Sequence, residues 1–357
     1  MLSGNKGDWS EIYALFKILS EKKLVAGDEN LNRIEELFFP IIKIIRNESG
    51  KNFEYQLDGD LVLIIGGIEV IKMPIKEFSI QADILLTKIK KEKGVFSVPE
   101  TELFMNSIHC NSIKATSYKK ADILIVIHVE NINQTAELGF SIKSQLGGDS
   151  TLLNASMSTN FTFKILNFNP PLNKLNEINS IKTNSKIKDR ISEILKYGGI
   201  LEFNNIDNSI FRNNLVLIDS LLPIILSEFL IIYNNLNINT IVEITNKIKE
   251  NNPLKYEYTN EHKFYEYKTK KFLTEVALGM IPSKVWDGIY IASGGYIVVK
   301  KDGEVVCYHL YNRNQFEDYL YKNTKFETAS SSKHKFGTIY KKNNDYYFKL
   351  NLQIRFI

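Results

Sequence analysis

The sequence predicts an α+β fold in which a mixed β-sheet is flanked by helices. Runs rich in β-branched residues occur within 53–80, within 118–168 and over the last 80 residues. Between the second and third of these, the stretch from about 186 to 278 shows the apolar spacing of helices. With 44% hydrophobic side chains among 357 residues, the chain can bury a sizeable core. Its length allows about two domains.

The N-terminal part of the chain alternates between helical and β-rich patterns. Residues 8–20 place apolar side chains at helical spacing. Residues 31–46 are predicted to form a second amphipathic helix, with a break at Pro40. Short β-rich runs over 53–80 predict a small sheet, and 81–93 returns to helical spacing.

Three strands are predicted between residues 118 and 168. The first is ADILIVIHVE at 121–130, and after a short NINQ turn the second is AELGFSIKSQL at 136–146. The run STLLNASMSTN at 150–160 predicts a short helix or an ordered loop, and FTFKILNF at 161–168 predicts the third strand. The first two strands, joined by so short a turn, should pair as an antiparallel hairpin.

The rest of the chain divides by composition into a polar, a helical and a β-rich part. Residues 169–186 are polar and Asn-rich, which predicts a linker or surface loop, and helices dominate from 186 to 278. The following β-rich part predicts two hairpins. Asp302-Gly303 would supply the positive φ of a type I′ turn in the first, and Asn343-Asn344 marks the turn of the second.

Charge and cysteine content limit the function classes only weakly. The net charge of +4, from 45 basic and 41 acidic residues, does not exclude a nucleic-acid partner, because binding follows local charge. Two distant cysteines argue against a disulfide framework and for a cytoplasmic protein. Residues 215–233 are mostly apolar but contain two acidic residues and Pro223, so we expect a buried helix, kinked or divided there, instead of a membrane span.

Asp122 and Lys143 form the pattern that carries chemistry. Asp122 begins one predicted strand and Lys143 lies inside the next, so an antiparallel hairpin would bring both side chains to one face. Metal-dependent nucleases use such a pair: the acidic residue holds Mg²⁺ beside the scissile phosphate, and the lysine orients or activates the attacking water. The spacing alone is more typical of a structural hairpin.

A carboxylate is missing from the usual nuclease pattern, which is an Asp followed by (Asp/Glu)-X-Lys. Here Ser141 stands at the acidic position, so another residue must supply the charge. Glu137 has the strand parity of Lys143, but six residues of strand span about 20 Å. Glu11, on the first predicted helix, is the favoured candidate because a helix packed on the sheet could aim it into the site. Gln145 has the parity to hydrogen-bond a water or a phosphate.

Four longer segments resemble the HpaII-type family of type II restriction endonucleases. They are GNKGDWSEIYALFKIL at the N-terminus, GFSIKSQLGGDSTLLNAS at 139–156, the run from CYHLY to KHKFG at 307–337, and FKLNLQIRF at 348–356. The resemblance runs essentially end to end, and the segments appear in the family's order. It implies a PD-(D/E)XK-type nuclease core and Mg²⁺-dependent hydrolysis of both strands of a short DNA site.

The resemblance also implies site residues and partners. Asp122, Ser141 and Lys143 match the metal-and-lysine motif of the wider superfamily. The resemblance does not identify the carboxylate that replaces the one missing at Ser141, so Glu11 is expected as a metal ligand beside Asp122 on the geometric grounds given above. The implied mechanism is one-step attack by a water that Lys143 assists, leaving a 5′-phosphate. The family's namesake recognises CCGG, which makes CCGG the default target. A companion methyltransferase acting on the same site is expected, and a homodimer would match a symmetric site, although a monomer can also cut one.

Two polar runs near the C-terminus supply groups that can reach DNA bases and phosphates. Arg313 is one of only six arginines in a lysine-rich chain, which suggests a bidentate contact to guanine, phosphate or a carboxylate. A solvated loop is the alternative for each run. The candidate DNA-binding residues are Asn312, Arg313, Asn314, Ser332, Lys333, His334 and Lys335.

These assignments divide the chain into three predicted regions. They are a nuclease core with N-terminal helices at 1–170, a mainly helical segment at 171–278 and a β-rich DNA-recognition region at 279–357. Two alternatives stay open at this point. A DNA-binding protein could keep the nuclease fold without catalysis, since Ser141 replaces a carboxylate, or the same core could process RNA.

Overall fold

The structure, a computed structural model, describes residues 1–114, 121–129 and 134–357. Its described residues form eleven α-helices and sixteen β-strands. The helices are α1 (Lys6–Glu21), α2 (Ile75–Lys91), α3 (Pro99–Ser107), α4 (Leu172–Ser180), α5 (Lys186–Lys196), α6 (Ser209–Ile218), α7 (Leu222–Asn235), α8 (Ile241–Asn251), α9 (Phe264–Leu278), α10 (Arg313–Lys322) and α11 (Ser331–His334).

The strands occur at both ends of the chain and around its middle, and α-helices lie between them. They are β1 (Lys23–Gly27), β2 (Arg33–Glu48), β3 (Lys51–Asp58), β4 (Leu61–Gly66), β5 (Glu69–Pro74), β6 (Ile123–Val129), β7 (Gln134–Ser144), β8 (Thr151–Leu153), β9 (Asn160–Leu166), β10 (Ile200–Ile206), β11 (Gly295–Val299), β12 (Val305–His309), β13 (Thr324–Phe326), β14 (Ile339–Lys342), β15 (Asp345–Asn351) and β16 (Ile354–Phe356). The predicted mixture of helices and sheets is therefore confirmed.

Two compact units divide the chain. The first contains residues 1–150 and 290–319, and the second contains 151–289 and 320–357. The chain leaves the first unit after β7 and returns to it at β11, so the two units are interleaved in sequence. The first unit holds a nine-stranded sheet in the order β1-β12-β11-β7-β6-β2-β3-β4-β5.

The core of the first unit lies between this sheet and its helices. Trp9, Phe16 and Phe78, from α1 and α2, are fully buried together with Phe140 of β7. The start of α1 is fixed by a capping box, in which the Asn5 side chain accepts from the backbone N–H of the third helical residue and that residue's carboxylate accepts in return. This confirms the first predicted helix and fixes which of its faces meets the sheet.

The predicted helix over 31–46 is wrong, because these residues lie in strand β2. The run FFPIIKII is apolar on too many consecutive positions to distinguish a buried strand from a helix by period alone. Its β-branched isoleucines pair with β3 on one side and β6 on the other. Pro40 lies at the end of the pairing between β2 and β1, next to an irregularity in the pairing between β2 and β6. A proline is tolerated at such a position although it lacks a backbone N–H to donate.

Three other local predictions need correction. The predicted linker at 169–186 contains α4, and the helical stretch after it is interrupted by β10. The run at 150–160 forms the short strand β8 and a 3-10 turn at Met157–Thr159. The predicted strands at 121–130 and 136–146 are confirmed as β6 and β7, while residues 130–133 of the strand end and turn lie outside the described part of the chain.

Both C-terminal hairpins are confirmed, but the first has a longer turn than predicted. Strands β11 and β12 are antiparallel, and the N–H of Lys300 donates to the carbonyl of Glu304 at 2.9 Å. Only Gly303 in this turn has a positive φ, of 104°, so the turn is not type I′. In the second hairpin, Asn343 has a φ of 56° in the predicted turn.

The second unit combines two smaller sheets with the middle helices. Its sheets have the orders β10-β9-β15-β14 and β13-β16-β8. The apolar run at 215–233 is divided between α6 and α7, with Pro223 in the first turn of α7, as predicted. Within the described ranges, no single helix is long and apolar enough to cross a membrane. The pair of α6 and α7, bent by 108°, meets that criterion only jointly, by length and composition.

Candidate active site

The register of β6 and β7 brings Asp122 to the face that carries Lys143. The predicted antiparallel hairpin is confirmed, with Ile123 opposite Phe140. The N–H of Asp122 donates to the carbonyl of Phe140 at 3.0 Å, and its Oδ2 accepts from the N–H of Ile142 at 2.7 Å. Asp122 is therefore held at the end of the hairpin by two backbone contacts to β7.

Lys143 lies on β7 between the antiparallel β6 and the parallel β11. Its Nζ is 5.2 Å from the ring centroid of Tyr296. Tyr296 lies on β11, where it pairs with Ser141 of β7. Burial lowers the pKa of Lys143, and the charges of Asp122 and Glu11 oppose that shift. The lysine is thus half-buried beside two carboxylates and a buried aromatic ring, a setting that makes its amine more readily deprotonated.

Glu11 reaches the same site from helix α1. Burial and, after it, the charge of Asp122 raise the pKa of Glu11 to about 7, although the charges of Lys114 and Arg46 oppose this shift. Burial also raises the pKa of Asp122, against its backbone hydrogen bond and the charge of Lys143. Two half-buried carboxyls whose pKa values are both raised resist ionising together, and a bound cation would favour the charged form of both.

The carboxylate pair fits a magnesium ion better than a metal that needs an all-protein cage. Among the described residues, no group of three or more His, Cys, Asp or Glu side chains could hold a metal ion. Mg²⁺ prefers oxygen ligands and keeps several waters, so one or two carboxylates are sufficient. Glu11 and Asp122 are the residues whose chemistry fits.

Of the other predicted catalytic residues, Ser141 and Gln145 lie close to Lys143 along the chain, whereas the alternative carboxylate Glu137 is farther away. Ser141 is half-buried on β7, two residues before Lys143 and therefore on the same face of the strand. Gln145 follows the end of β7, where its N–H donates to the carbonyl of Val299 at 2.9 Å and its side chain is half-buried. Glu137 is exposed and lies six residues from Lys143, about 20 Å along the strand. The structure therefore brings Glu11, and not Glu137, to the site.

Sequence reasoning missed two features that surround this site. Lys114 forms an ion pair with Asp8 of α1, one helical turn before Glu11. Ser10 and Ser144, adjacent to Glu11 and Lys143, hydrogen-bond to each other. Neither has a local sequence signal, because each joins residues more than 100 positions apart.

The predicted DNA-binding residues fall into both compact units. In the first unit, Asn312 ends a 3-10 turn and Arg313 begins α10, on the N-terminal side of the helix as predicted, and Asn314 is exposed beside them. The guanidinium Nε of Arg313 donates to Glu317 Oε1 at 2.6 Å, one turn along the helix. This contact holds Arg313 against a carboxylate, one of the roles expected from its retention as arginine.

The second polar run belongs to the other unit and forms the short helix α11. Ser332, Lys333 and Lys335 are exposed, and His334 is half-buried. The carbonyl of His334 accepts from Asn160 Nδ2 at 2.9 Å, which ties the run to the start of β9. The run therefore presents its cationic side chains from a backbone that is fixed within its own unit.

Comparisons with known proteins cover the whole chain. A family model described as HpaII restriction endonuclease matches residues 5–356. Type II restriction enzyme HpaII from Haemophilus parainfluenzae is 46% identical, over 99% of this chain and 99% of its own length. No solved structure matches the chain. The matched range includes Glu11, Asp122 and Lys143.

Proposed function

The chain belongs to the HpaII restriction endonuclease family, and we propose that Glu11, Asp122 and Lys143 form its active site. As a member of this family, the protein is a type II site-specific deoxyribonuclease that acts on double-stranded DNA. Enzymes of this type generally use divalent metal ions. The observation that supports the site most directly is the convergence of two carboxylates and a half-buried lysine from α1, β6 and β7.

We infer a division of roles from the environment of each side chain. Glu11 and Asp122 are the residues that would hold Mg²⁺, which would neutralise the charge developing on the scissile phosphate. Lys143, whose pKa is lowered by burial, orients the attacking water and accepts a share of its proton. Ser141 and Gln145 supply hydrogen bonds to water or phosphate. Attack on phosphorus with departure of the 3′-oxygen leaves a 5′-phosphate and a 3′-hydroxyl.

Digestion of a sequenced plasmid with Mg²⁺, followed by mapping of the ends, tests this function. We expect discrete fragments that carry 5′-phosphates. Lys143→Ala should abolish cleavage and retain specific binding. The matched control is Lys22→Ala, which removes an exposed lysine paired with Asp60 at 3.0 Å. Cleavage by Lys143→Ala at the normal rate would show that the site is assigned wrongly, whereas Mg²⁺-independent cutting would contradict the cofactor.

The target and partners of the enzyme are a separate part of the proposal. We propose CCGG as the site, a companion methyltransferase that modifies the same site, and a homodimer as the form that cuts. The family resemblance supports the first two, and the symmetry of the site supports the third. End mapping identifies the site, digestion of methylated against unmethylated duplex tests protection, and sedimentation on a site-containing duplex tests the dimer. We also propose that the polar runs at 312–314 and 332–335 contact DNA from the C-terminal region.

A further inference from the structure

Lys114 reaches the acidic site from a segment outside both catalytic strands. Its Nζ lies 2.7 Å from Asp8 Oδ1. Asp8 and Glu11 are three residues apart on α1, so their side chains lie on one face of the helix, about 5–6 Å apart at Cβ. The positive charge of Lys114 lowers the pKa of both Glu11 and Asp122. A second lysine therefore acts electrostatically on the two carboxylates that also face Lys143.

The backbone just before Lys114 is fixed by the protein core. The buried guanidinium of Arg46 donates to the carbonyl oxygens of Ser112 and Ile113, the latter at 3.2 Å. Arg46 is itself paired with the buried Glu48, whose Oε2 accepts from Ser112 Oγ at 2.7 Å. By contrast, the side chain of Lys114 is 65% exposed. The charged end of Lys114 is therefore open to solvent, while the backbone just before it is held in place by buried side chains.

Stability does not account for this placement. An ion pair such as Lys114–Asp8, whose lysine is exposed and whose aspartate is half-buried, contributes little to the free energy of unfolding. Asp8 lies in the first turn of α1, where the helix dipole favours anions and opposes a cation. The pairing is better explained by the substrate, because a DNA phosphate entering a site with two carboxylates needs positive charge on its open side.

Lys143 and Lys114 differ in burial and in the direction of their pKa shifts, which suits them to different roles. Lys143 is half-buried, and burial lowers its pKa. Lys114 is exposed, and its hydrogen bond to Asp8 raises its pKa, so it stays cationic across the working range of pH. A permanently charged, exposed ammonium suits phosphate binding and not proton transfer.

We propose that Lys114 is a further catalytic residue, which contacts the scissile phosphate or its neighbour on the same strand during cleavage. The inference rests on the proposed active site and deepens it, because it assigns electrostatic binding of the DNA phosphate to a residue outside the catalytic motif. Lys114 would then share with the metal ion the task of balancing the negative charge of the phosphate.

The test compares Lys114→Ala and Lys114→Arg with Lys22→Ala, whose lysine is likewise exposed and ion-paired. Single-turnover cleavage and the salt dependence of binding are measured on one site-containing duplex. We expect Lys114→Ala to slow cleavage by about 10- to 100-fold. Its slope of log K against log salt should fall in magnitude by about one. Lys114→Arg should keep most of the wild-type cleavage rate and salt slope, and Lys22→Ala should match the wild type in both measurements.

Asp8→Asn separates substrate contact from a purely structural ion pair. The amide oxygen of the substituted side chain can still accept the N–H of Asn5, so the helix cap is retained while the ion pair is lost. If Lys114 grips phosphate, Asp8→Asn keeps the wild-type salt slope and cleaves within a few-fold of wild type. Equal losses in Asp8→Asn and Lys114→Ala, or a wild-type rate and slope in Lys114→Ala, would overturn the inference.

Failure of the inference is distinguishable from failure of the active-site assignment. Inactive Lys143→Ala together with fully active Lys114→Ala rejects only the role of Lys114. Normal cleavage by both variants rejects the site as a whole. Thermal unfolding of each variant is the control for folding, and wild-type melting is expected for Lys114→Ala because its ion pair is exposed.

Discussion

Ser10 and Ser144 share a hydrogen bond of 2.7 Å between their hydroxyl oxygens, which ties helix α1 to strand β7. Ser10 Oγ also donates to the carbonyl of Lys6 at 2.7 Å, so its single proton is used there. Ser144 is therefore the donor in the pair, and its oxygen accepts from the N–H of Leu146 at 3.1 Å. The two hydroxyls form a directed chain from the end of the strand to the helix.

Removing the Ser144 hydroxyl should impair cleavage more than folding. Ser10 and Ser144 adjoin Glu11 and Lys143, so the bond sets the distance between a carboxylate and the lysine. We expect Ser144→Ala to lower the single-turnover rate by about 10-fold, with DNA binding nearly unchanged and a stability loss of about 1 kcal/mol. Ser144→Thr, which keeps a hydroxyl, should recover part of the rate. Ser20→Ala, which removes a hydroxyl at the other end of α1, is the matched control, and an equal loss there would contradict the positioning role.

Glu11→Gln should inactivate the enzyme and stabilise the metal-free protein at alkaline pH. Burial raises the pKa of folded Glu11 to about 7 from 4.5, so the folded state binds more protons than the unfolded state between these values. Stability therefore falls as pH rises through this window, and the variant avoids the loss. At pH 8 without metal, we expect the free energy of unfolding to rise by about 1–3 kcal/mol in urea titrations. Mg²⁺ should stabilise the wild type more than the variant.

His309 should make the protein less stable in mild acid. It lies against Phe39, its Nδ1 accepts from the N–H of Tyr311 at 2.8 Å, and burial lowers its pKa to about 4 from 6.5. The unfolded state therefore binds more protons between these values, and stability rises with pH across the window. Between pH 6.5 and 4 we expect a loss of about 3 kcal/mol from this group. Urea unfolding at several pH values should show a weaker pH dependence for His309→Gln, and parallel curves would refute the assignment.

The buried pair of Arg46 and Glu48 should show strong coupling in a double-mutant cycle. The two side chains are 6% and 3% exposed, and Arg46 Nε lies 2.5 Å from Glu48 Oε1. Glu48→Gln leaves the buried guanidinium of Arg46 without an anionic partner, so we expect the free energy of unfolding to fall by about 3–5 kcal/mol. The double variant Arg46→Met with Glu48→Met should lose less than the sum of its single changes. Additive losses by urea unfolding would be the contrary result.

Arg313 offers a test of the proposed DNA contacts. If it reads guanine, Arg313→Ala should weaken binding to the specific site by about 1–3 kcal/mol and leave nonspecific binding almost unchanged. Arg313→Lys should rescue little, because lysine lacks the bidentate fork. Competition binding with specific and mixed-sequence duplexes measures the difference. Equal weakening on both duplexes would instead indicate a phosphate contact.

Elements stabilised by near neighbours were predictable from the sequence. The hairpin of β6 and β7 follows from alternating and β-branched residues on either side of a short polar segment of the sequence, and it placed Asp122 and Lys143 on one face. The helix α1 follows from its apolar spacing. Strand β2 was mistaken for a helix because FFPIIKII carries no decisive period, and only its two strand neighbours determine that it is extended.

The sequence by itself determined the family and the local hairpin, and it predicted Asp122 and Lys143 as the motif residues. It also favoured Glu11 over Glu137 as the second carboxylate. Only the tertiary structure shows that Glu11 lies near Asp122 and Lys143, because this depends on how α1 packs against the sheet. It alone placed Lys114, whose backbone is anchored by Arg46 from a strand more than 60 residues earlier. Local residue patterns encode local hydrogen bonding, whereas contacts between distant segments depend on how whole elements pack.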